Sequence, residues 1–220
     1  MFYKLRNFLT EEEINEIRAE VKKFDFSEGT KTAKGRAKEV KSNSQLTQSD
    51  APEFIAGLTK KISKDQRVAV FSVPYKFSPC MVNLYQKGEE YGFHMDNPIM
   101  AGIRTDLSYT IFLNPPESYE GGELIVQAET GETSLKPDAG DMVIYPSNRL
   151  HRVTPVEKGE RLCIVGWIQS MIKSHEERQV VIDLKRSLSY VGHFERTPEL
   201  DEMVQLINKS LHNVTRILQG

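Results

Sequence analysis

Between about residues 67 and 172 the chain is written in short β-type runs broken by Gly, Pro and Asn, and this pattern constrains its fold most. The expected strands are Val68–Val73, Met81–Tyr85, Leu107–Leu113, Glu123–Gln127, Met142–Tyr145 and Leu162–Ile168. Strands this short, separated by turn residues rather than crossover helices, suit a sandwich or barrel and not a parallel α/β sheet. Both flanks carry the helical period instead. Thr10 and Glu13 form a capping box ahead of Ile14, Ile17 and Val21. A second helix is expected to begin at Asp50, with Pro52 in its first turn and Phe54, Leu58 and Ile62 turned inward. Beyond the β region, Glu176–Leu188 aligns Val181, Leu184 and Leu188. Thr197-Pro198-Glu199 then opens a helix that aligns Leu200, Met203, Val204, Ile207, Leu211 and Val214. No repeat or linker divides the 220 residues. The expected fold class is therefore mainly β with flanking helices (α+β), one domain whose parts are residues 1–66, 67–172 and 173–220. The polar stretch Ser27–Ser49, with Lys31, Lys34, Arg36, Lys38 and Lys41, reads either as a solvated loop or as a mobile flap at a substrate entrance.

Composition removes several function classes. Lys and Arg number 29 against 31 Asp and Glu, a net charge of −2, which argues against a basic field for nucleic acid. No apolar run approaches the roughly 18 residues of a membrane helix. MFYKLRNFLTEEE holds no apolar core that would serve as a secretory signal, so a cytoplasmic location is expected. Cys80 and Cys163 are too few for a disulfide framework or a Cys-rich zinc site. Any metal must be held by the five His and the carboxylates.

His94 and Asp96 are two residues apart, so on a strand they share a face while Met95 points away. With five His and nine Asp in the chain, about 0.2 such matches arise by chance, and the pair needs context. His151 supplies it, following the turn and strand Gly140–Tyr145. Two His and one carboxylate, with three positions left open, form the facial triad of non-haem Fe(II) oxygenases. Arg161 comes ten residues later. If Glu157-Lys158-Gly159 is a three-residue hairpin loop, Arg161 shares a face with His151, about 13 Å away along the strands. A guanidinium there would meet the far carboxylate of a metal-bound five-carbon diacid, for which its planar fork is suited. Tyr85 reads either as a hydrogen-bond partner of a bound oxyacid or as a core tyrosine. Thr110 shares a face with Ser108 and Phe112, and reads either as pocket lining or as sheet packing. The glycines of Glu120–Leu124 suit a turn with positive φ and not a phosphate loop. Cys163, in an apolar strand without a base beside it, reads as a buried thiol. His175 and His193 carry no readable role, and His212 falls on the last helix.

Taken together, His94-x-Asp96, His151 and Arg161 resemble the pattern of the Fe(II)/2-oxoglutarate dioxygenases, in the branch similar to prolyl 4-hydroxylases, and most closely the bacterial PKHD-type hydroxylases. The likeness is carried by Thr32–Gly35 with Val40–Leu46, by His94–Asn97, Arg104–Ser108 and Tyr119–Leu124, and by Tyr145–Ser147 with His151–Val156. Trp167–Ser170 and His212-Asn213 extend it through the chain. Lys34 stands where the family pattern has Gly, and the last helix lacks its Leu-Leu and Trp pattern. The resemblance implies a double-stranded β-helix (jelly-roll) core, Fe(II) on His94, Asp96 and His151, and the distal carboxylate of 2-oxoglutarate on Arg161. It further implies hydroxylation of a primary substrate with O2, release of succinate and CO2, and ascorbate as reductant. The carboxylate at Asp96 favours hydroxylation over halogenation, which leaves that position to chloride. Two other readings compete: a non-catalytic ligand-binding jelly roll, and a cupin-type metal enzyme without 2-oxoglutarate. The latter usually presents His-x-His and would leave Arg161 without a task. The substrate, whether peptidyl, amino-acid or small metabolite, is not legible, and the C-terminal helices suit either the core or a homodimer interface.

Overall fold

The computed structural model describes residues 2–33, 35–128 and 131–219; Lys34, singled out above, lies outside them. Helix α1 (Glu11–Val21) starts as its sequence dictates. Thr10 Oγ1 accepts from the Glu13 amide, the Glu13 carboxylate accepts from the Thr10 amide, and Ile14, Ile17 and Val21 are buried. After a short helix α2 (Arg36–Glu39) comes α3 (Pro52–Lys64), which buries Ile55, Leu58 and Ile62, with Phe54 half-buried at its edge. The expected strand Val68–Val73 is instead helix α4 (Gln66–Ser72). Asp65 caps it by accepting from the amides of Arg67 and Val68, and Val73 ends it in the left-handed region at φ 44°. Capping thus overrides the β preference of a valine-rich run only seven residues long. Helices α5 (His175–Val191) and α6 (Pro198–Leu218) follow the β region, capped by Ser174 and Thr197, and α5 packs on both α6 and α4.

Two antiparallel sheets form the core. The larger runs Tyr3–Leu5, Met142–Pro146, Leu107–Phe112, Arg161–Ser170, Met81–Tyr85, Ser44–Leu46 and Ser27–Glu28, with Pro74–Phe77 also paired to Arg161–Ser170. The smaller runs Gly131–Leu135, Leu124–Ala128, His151–Val153, Glu90–His94 and Lys41–Ser42. Alternation divides the larger sheet cleanly. Leu107, Tyr109, Ile111, Ile144, Ile164 and Ile168 join the buried residues of α1, α3 and α5 in the main core cluster. Each such Leu or Ile contributes ~1.5–3 kcal/mol of burial. The alternate residues, Ser108, Thr110 and Phe112 with Arg161, Cys163 and Val165, turn towards the smaller sheet. The mainly β, jelly-roll expectation holds.

Two readings of the sequence need correction. Ser27–Ser49 is neither a bare loop nor a free flap: it holds α2 and three short strands, and it joins the margins of both sheets. Ser44–Leu46 pairs with Met81–Tyr85, whereas Lys41–Ser42 pairs with Glu90–His94. Nor is Glu157-Lys158-Gly159 a hairpin loop between the strands of His151 and Arg161. Val156–Lys158 pairs with Glu120–Gly121, and the chain then crosses from the smaller sheet to the larger. Gly159, at φ 74°, makes that passage against the Ser118 carbonyl, where a Cβ would lie 2.4 Å from the oxygen.

Candidate active site

The triad forms where the two central strands of the smaller sheet meet. His94 ends Glu90–His94, His151 begins His151–Val153, and the two are register partners. Asp96 lies just past the strand end. One donor atom from each of His94, Asp96 and His151 falls within 4.8 Å of the others, an arrangement able to hold a metal ion. The His151 Nε2 atom is 3.8 Å from Asp96 Oδ2. Backbone carbonyls orient both rings: His94 Nδ1 lies 2.8 Å from Gly92 O, and His151 Nδ1 lies 2.9 Å from Arg149 O. With the proton held at Nδ1, each Nε2 is left as a lone-pair donor. Burial, and then the neighbouring His151, push the His94 imidazole well below its usual range, so it is neutral, the state that metal binding requires. Tyr91 stacks on His94 with ring centroids 3.5 Å apart. Asp96 Oδ2 accepts from Ser108 Oγ at 2.5 Å, and that hydroxyl lies 2.7 Å from Ser147 Oγ.

These groups line a cleft of about 720 Å³, counting space open to solvent, which also takes in Tyr85, Thr110 and Arg161. All six residues singled out from the sequence therefore border one cavity. Arg161 reaches it from the larger sheet, across from His151, and not along a shared hairpin. It is 2% exposed, and its Nη1 points at Cys163 Sγ, 2.9 Å away. The rings of Tyr85 and Phe112 each lie 5.2 Å from the guanidinium carbon. Its Nε has no hydrogen-bond partner among the described residues. A guanidinium buried without a carboxylate is costly, and here it faces a cavity. Gly122 makes room for it: at φ 68°, a Cβ there would lie 3.1 Å from Arg161 Cδ and 3.0 Å from the Tyr119 ring. Tyr85 is fully buried, and burial pushes its hydroxyl far up, so it stays a neutral donor. Cys163 is buried and free, as expected. His175 begins α5 and His212 lies on α6; neither lines the cleft.

The sequence reading missed several groups at this site. Lys41 reads as one cation of a basic stretch and as part of the Val40–Leu46 motif, with no role of its own, yet it is buried and lines the cleft. Asn83 and Tyr91 carried no signal beyond their places on strands. Ser147, holding Ser108, was visible only within a quoted motif. The pairing partners of Lys41 and Asn83 are distant in sequence, so periodicity cannot bring them together.

Comparison with known proteins agrees with this geometry. Residues 80–169 match the model of the 2OG-Fe(II) oxygenase superfamily. The chain is 36% identical over 216 residues to a PKHD-type hydroxylase of Idiomarina loihiensis, covering 98% of each. It is 40% identical over 222 residues to one of Prochlorococcus marinus, again covering 98% of each. The fold is shared with a Pseudomonas putida prolyl-4-hydroxylase at 21% identity and a TM-score of 0.55, over 77% of this chain and 92% of that one. The cleft thus sits in a scaffold used for oxidation with 2-oxoglutarate and O2, and identity along nearly the full length narrows the assignment: the chain belongs to the PKHD-type hydroxylases, Fe(II)- and 2-oxoglutarate-dependent dioxygenases.

Proposed function

We propose that His94, Asp96 and His151 hold the Fe(II) of this dioxygenase and that Arg161 binds the distal carboxylate of 2-oxoglutarate, with Tyr85 and Thr110 lining the co-substrate's path. The observation that carries this is the pairing of a three-donor cluster with a buried guanidinium that has no anionic partner among the described residues, both on one cleft. The donor set fits the metal: two neutral imidazoles and one carboxylate leave positions for a chelating co-substrate and O2. Fe(II) bound there supplies the redox chemistry that couples decarboxylation of 2-oxoglutarate to hydroxylation of a C–H bond. The protein's own part is positional. Gly92 and Arg149 carbonyls fix the imidazoles, Ser108 fixes the carboxylate, and Arg161 fixes the diacid's far end. Phe112, Val153 and Tyr145 keep the interior poor in water. The remaining readings follow from this one. The whole chain acts as a single dioxygenase domain, with 67–172 carrying the site and helices supporting both sides. Ascorbate keeps the iron reduced, and the buried free thiols of Cys80 and Cys163 suit the cytoplasm. The substrate is a peptide, amino acid or metabolite and not a nucleic acid or membrane lipid, and Met203 and Leu206, exposed on α6, suit pairing of two copies.

The test is succinate formation from 2-oxoglutarate with Fe(II) and O2, together with metal content by elemental analysis. Asp96→Ala is expected to lose both stoichiometric metal and turnover; unchanged turnover would remove Asp96 from the triad. Arg161→Ala is expected to keep the metal and to raise the 2-oxoglutarate requirement by about 10- to 100-fold, the value of a lost charge-assisted pair. An unchanged requirement would contradict its role.

A further inference from the structure

A second buried cation on the cleft is left without a task by the co-substrate assignment. Lys41 lies on an edge strand of the smaller sheet, is 8% exposed, and lines the same cavity as Asp96 and Arg161. Its Nζ donates to Thr32 Oγ1 and Gln45 Oε1, each at 3.2 Å, and both acceptors are neutral. Among the described residues it forms no ion pair, and Asp96 acts on it only from longer range. Burial pushes its ammonium down to about 8, the sign of a charge held against its solvation. An ammonium has three donors, and two are used. The Tyr91 ring also faces the ammonium, its centroid 5.2 Å from Nζ, and among the described residues no anion takes the third donor.

The neighbouring wall specifies more. Gln45 stands in register with Asn83, which lines the same cavity. Asn83 Oδ1 is buried and has no hydrogen-bond donor among the described residues. Left so, a buried amide oxygen costs about 1–3 kcal/mol. A single N–H beside an anionic oxygen would satisfy both groups. Arg161 sits enclosed by Tyr85 and Phe112, whereas Lys41 lies beneath the half-buried Thr32 of the segment joining the two sheets. Two cations on different sheets around one cleft can take two anions, and the more enclosed one suits the co-substrate.

We propose that Lys41 and Asn83 form the primary-substrate subsite, Lys41 receiving a carboxylate and Asn83 accepting from an adjacent N–H. The substrate is then an α-amino-acid unit with a free carboxylate, either a free amino acid or the last residue of a peptide. This rests on the assignment of Arg161 to 2-oxoglutarate.

The experiment uses the full-length enzyme loaded with Fe(II). Pooled free amino acids, pooled tripeptides with free carboxylates and the same tripeptides amidated at the C-terminus are each incubated with 2-oxoglutarate and O2. Products that gain one oxygen are read by mass spectrometry, and binding is read by calorimetry without O2. Expected are binding and products in a carboxylate pool and none from the amidated one; which carboxylate pool reacts separates the amino acid from the peptide. Lys41→Met, near in volume and free of buried charge, is expected to fold and to bind 2-oxoglutarate as the wild type does. Its affinity for the responding carboxylate is expected to fall about 10- to 100-fold. Equal response of amidated and free peptides, response of neither pool in binding or turnover, or unchanged substrate affinity in Lys41→Met overturns the subsite. Loss of 2-oxoglutarate binding in Lys41→Met overturns it too, by placing Lys41 on the co-substrate. Failure of the wild type to bind 2-oxoglutarate speaks instead against the role given to Arg161.

Discussion

Asp96 is the triad member with the least support from its own strand. His94 is fixed by the ladder and by Gly92, but Asp96 lies beyond the strand end, where no pairing sets its side chain. Ser108, on the facing sheet, supplies what the ladder does not. Its hydroxyl donates to Asp96 Oδ2 and is backed by Ser147 Oγ. Such outer partners of a ligating carboxylate are worth about 10- to 100-fold in metal affinity. Ser108→Ala is therefore expected to bind Mn(II), used as an O2-insensitive stand-in, at least about tenfold more weakly in calorimetric titration. Its melting temperature should fall by only a few degrees, because the loss is one hydroxyl and its hydrogen bonds to Asp96 and Ser147. Wild-type Mn(II) affinity would show that Asp96 holds its orientation without Ser108.

At the scale of elements, helix α4 tests how local signals compete. Residues 68–73 read as a strand because Val, Ala, Val and Phe favour extended backbone. Asp65 decides otherwise by capping two amides, which a strand would not use. Asp65→Ala is expected to lower stability by about 1 kcal/mol in urea unfolding. An unmoved midpoint would mean that packing of Val68 alone holds the helix. The same contrast explains what else was legible. The capping box at Thr10, the apolar faces of α3, α5 and α6, and the strands at 81–85, 107–112 and 142–146 all express their signal within one element, where period and caps suffice. The strands of 27–46 are two or three residues long and owe their existence to partners at 81–85 and 90–94. The crossing at Gly159 likewise depends on the Ser118 carbonyl, 41 residues away in the chain. Arg161 borders the same cleft as His94 and His151, but through its pairing with Tyr85 and not through the expected hairpin: alternation set which face it takes, but not which sheet it joins.

For the molecule as a whole, buried phenols and a buried thiol make stability sensitive to alkali. Tyr85, Tyr109, Tyr119 and Tyr145 are all buried, at 5% exposure or less, and burial raises each above the ordinary tyrosine value of 10.0, Tyr119 to about 12. Burial also raises Cys80 from 9.0 to about 11. Groups whose folded value is raised lend stability that is full below the unfolded value and is lost as pH climbs through the folded one. Lys41 works the other way. Its folded value, about 8, lies below its unfolded 10.5, so it adds stability as pH rises between those limits. Both displacements convert to similar energies per group, ~3 kcal/mol for Tyr119 or for Lys41. Four tyrosines and a thiol therefore outweigh one lysine, against the roughly 5–15 kcal/mol that holds a domain together. The folded state is expected to weaken from about pH 9 upward and to unfold before its buried phenols ionise. In a pH titration, tyrosinate absorbance beyond that of the exposed Tyr75 and Tyr190 should rise together with loss of far-ultraviolet circular dichroism, in one cooperative step. Full tyrosinate absorbance in a still-folded protein would show that water reaches these phenols and that the interior beside the metal donors is not dry. In Lys41→Met the stability that Lys41 adds as pH rises above 8 should be absent, so between pH 8 and 9 the variant's stability should climb less than that of the wild type.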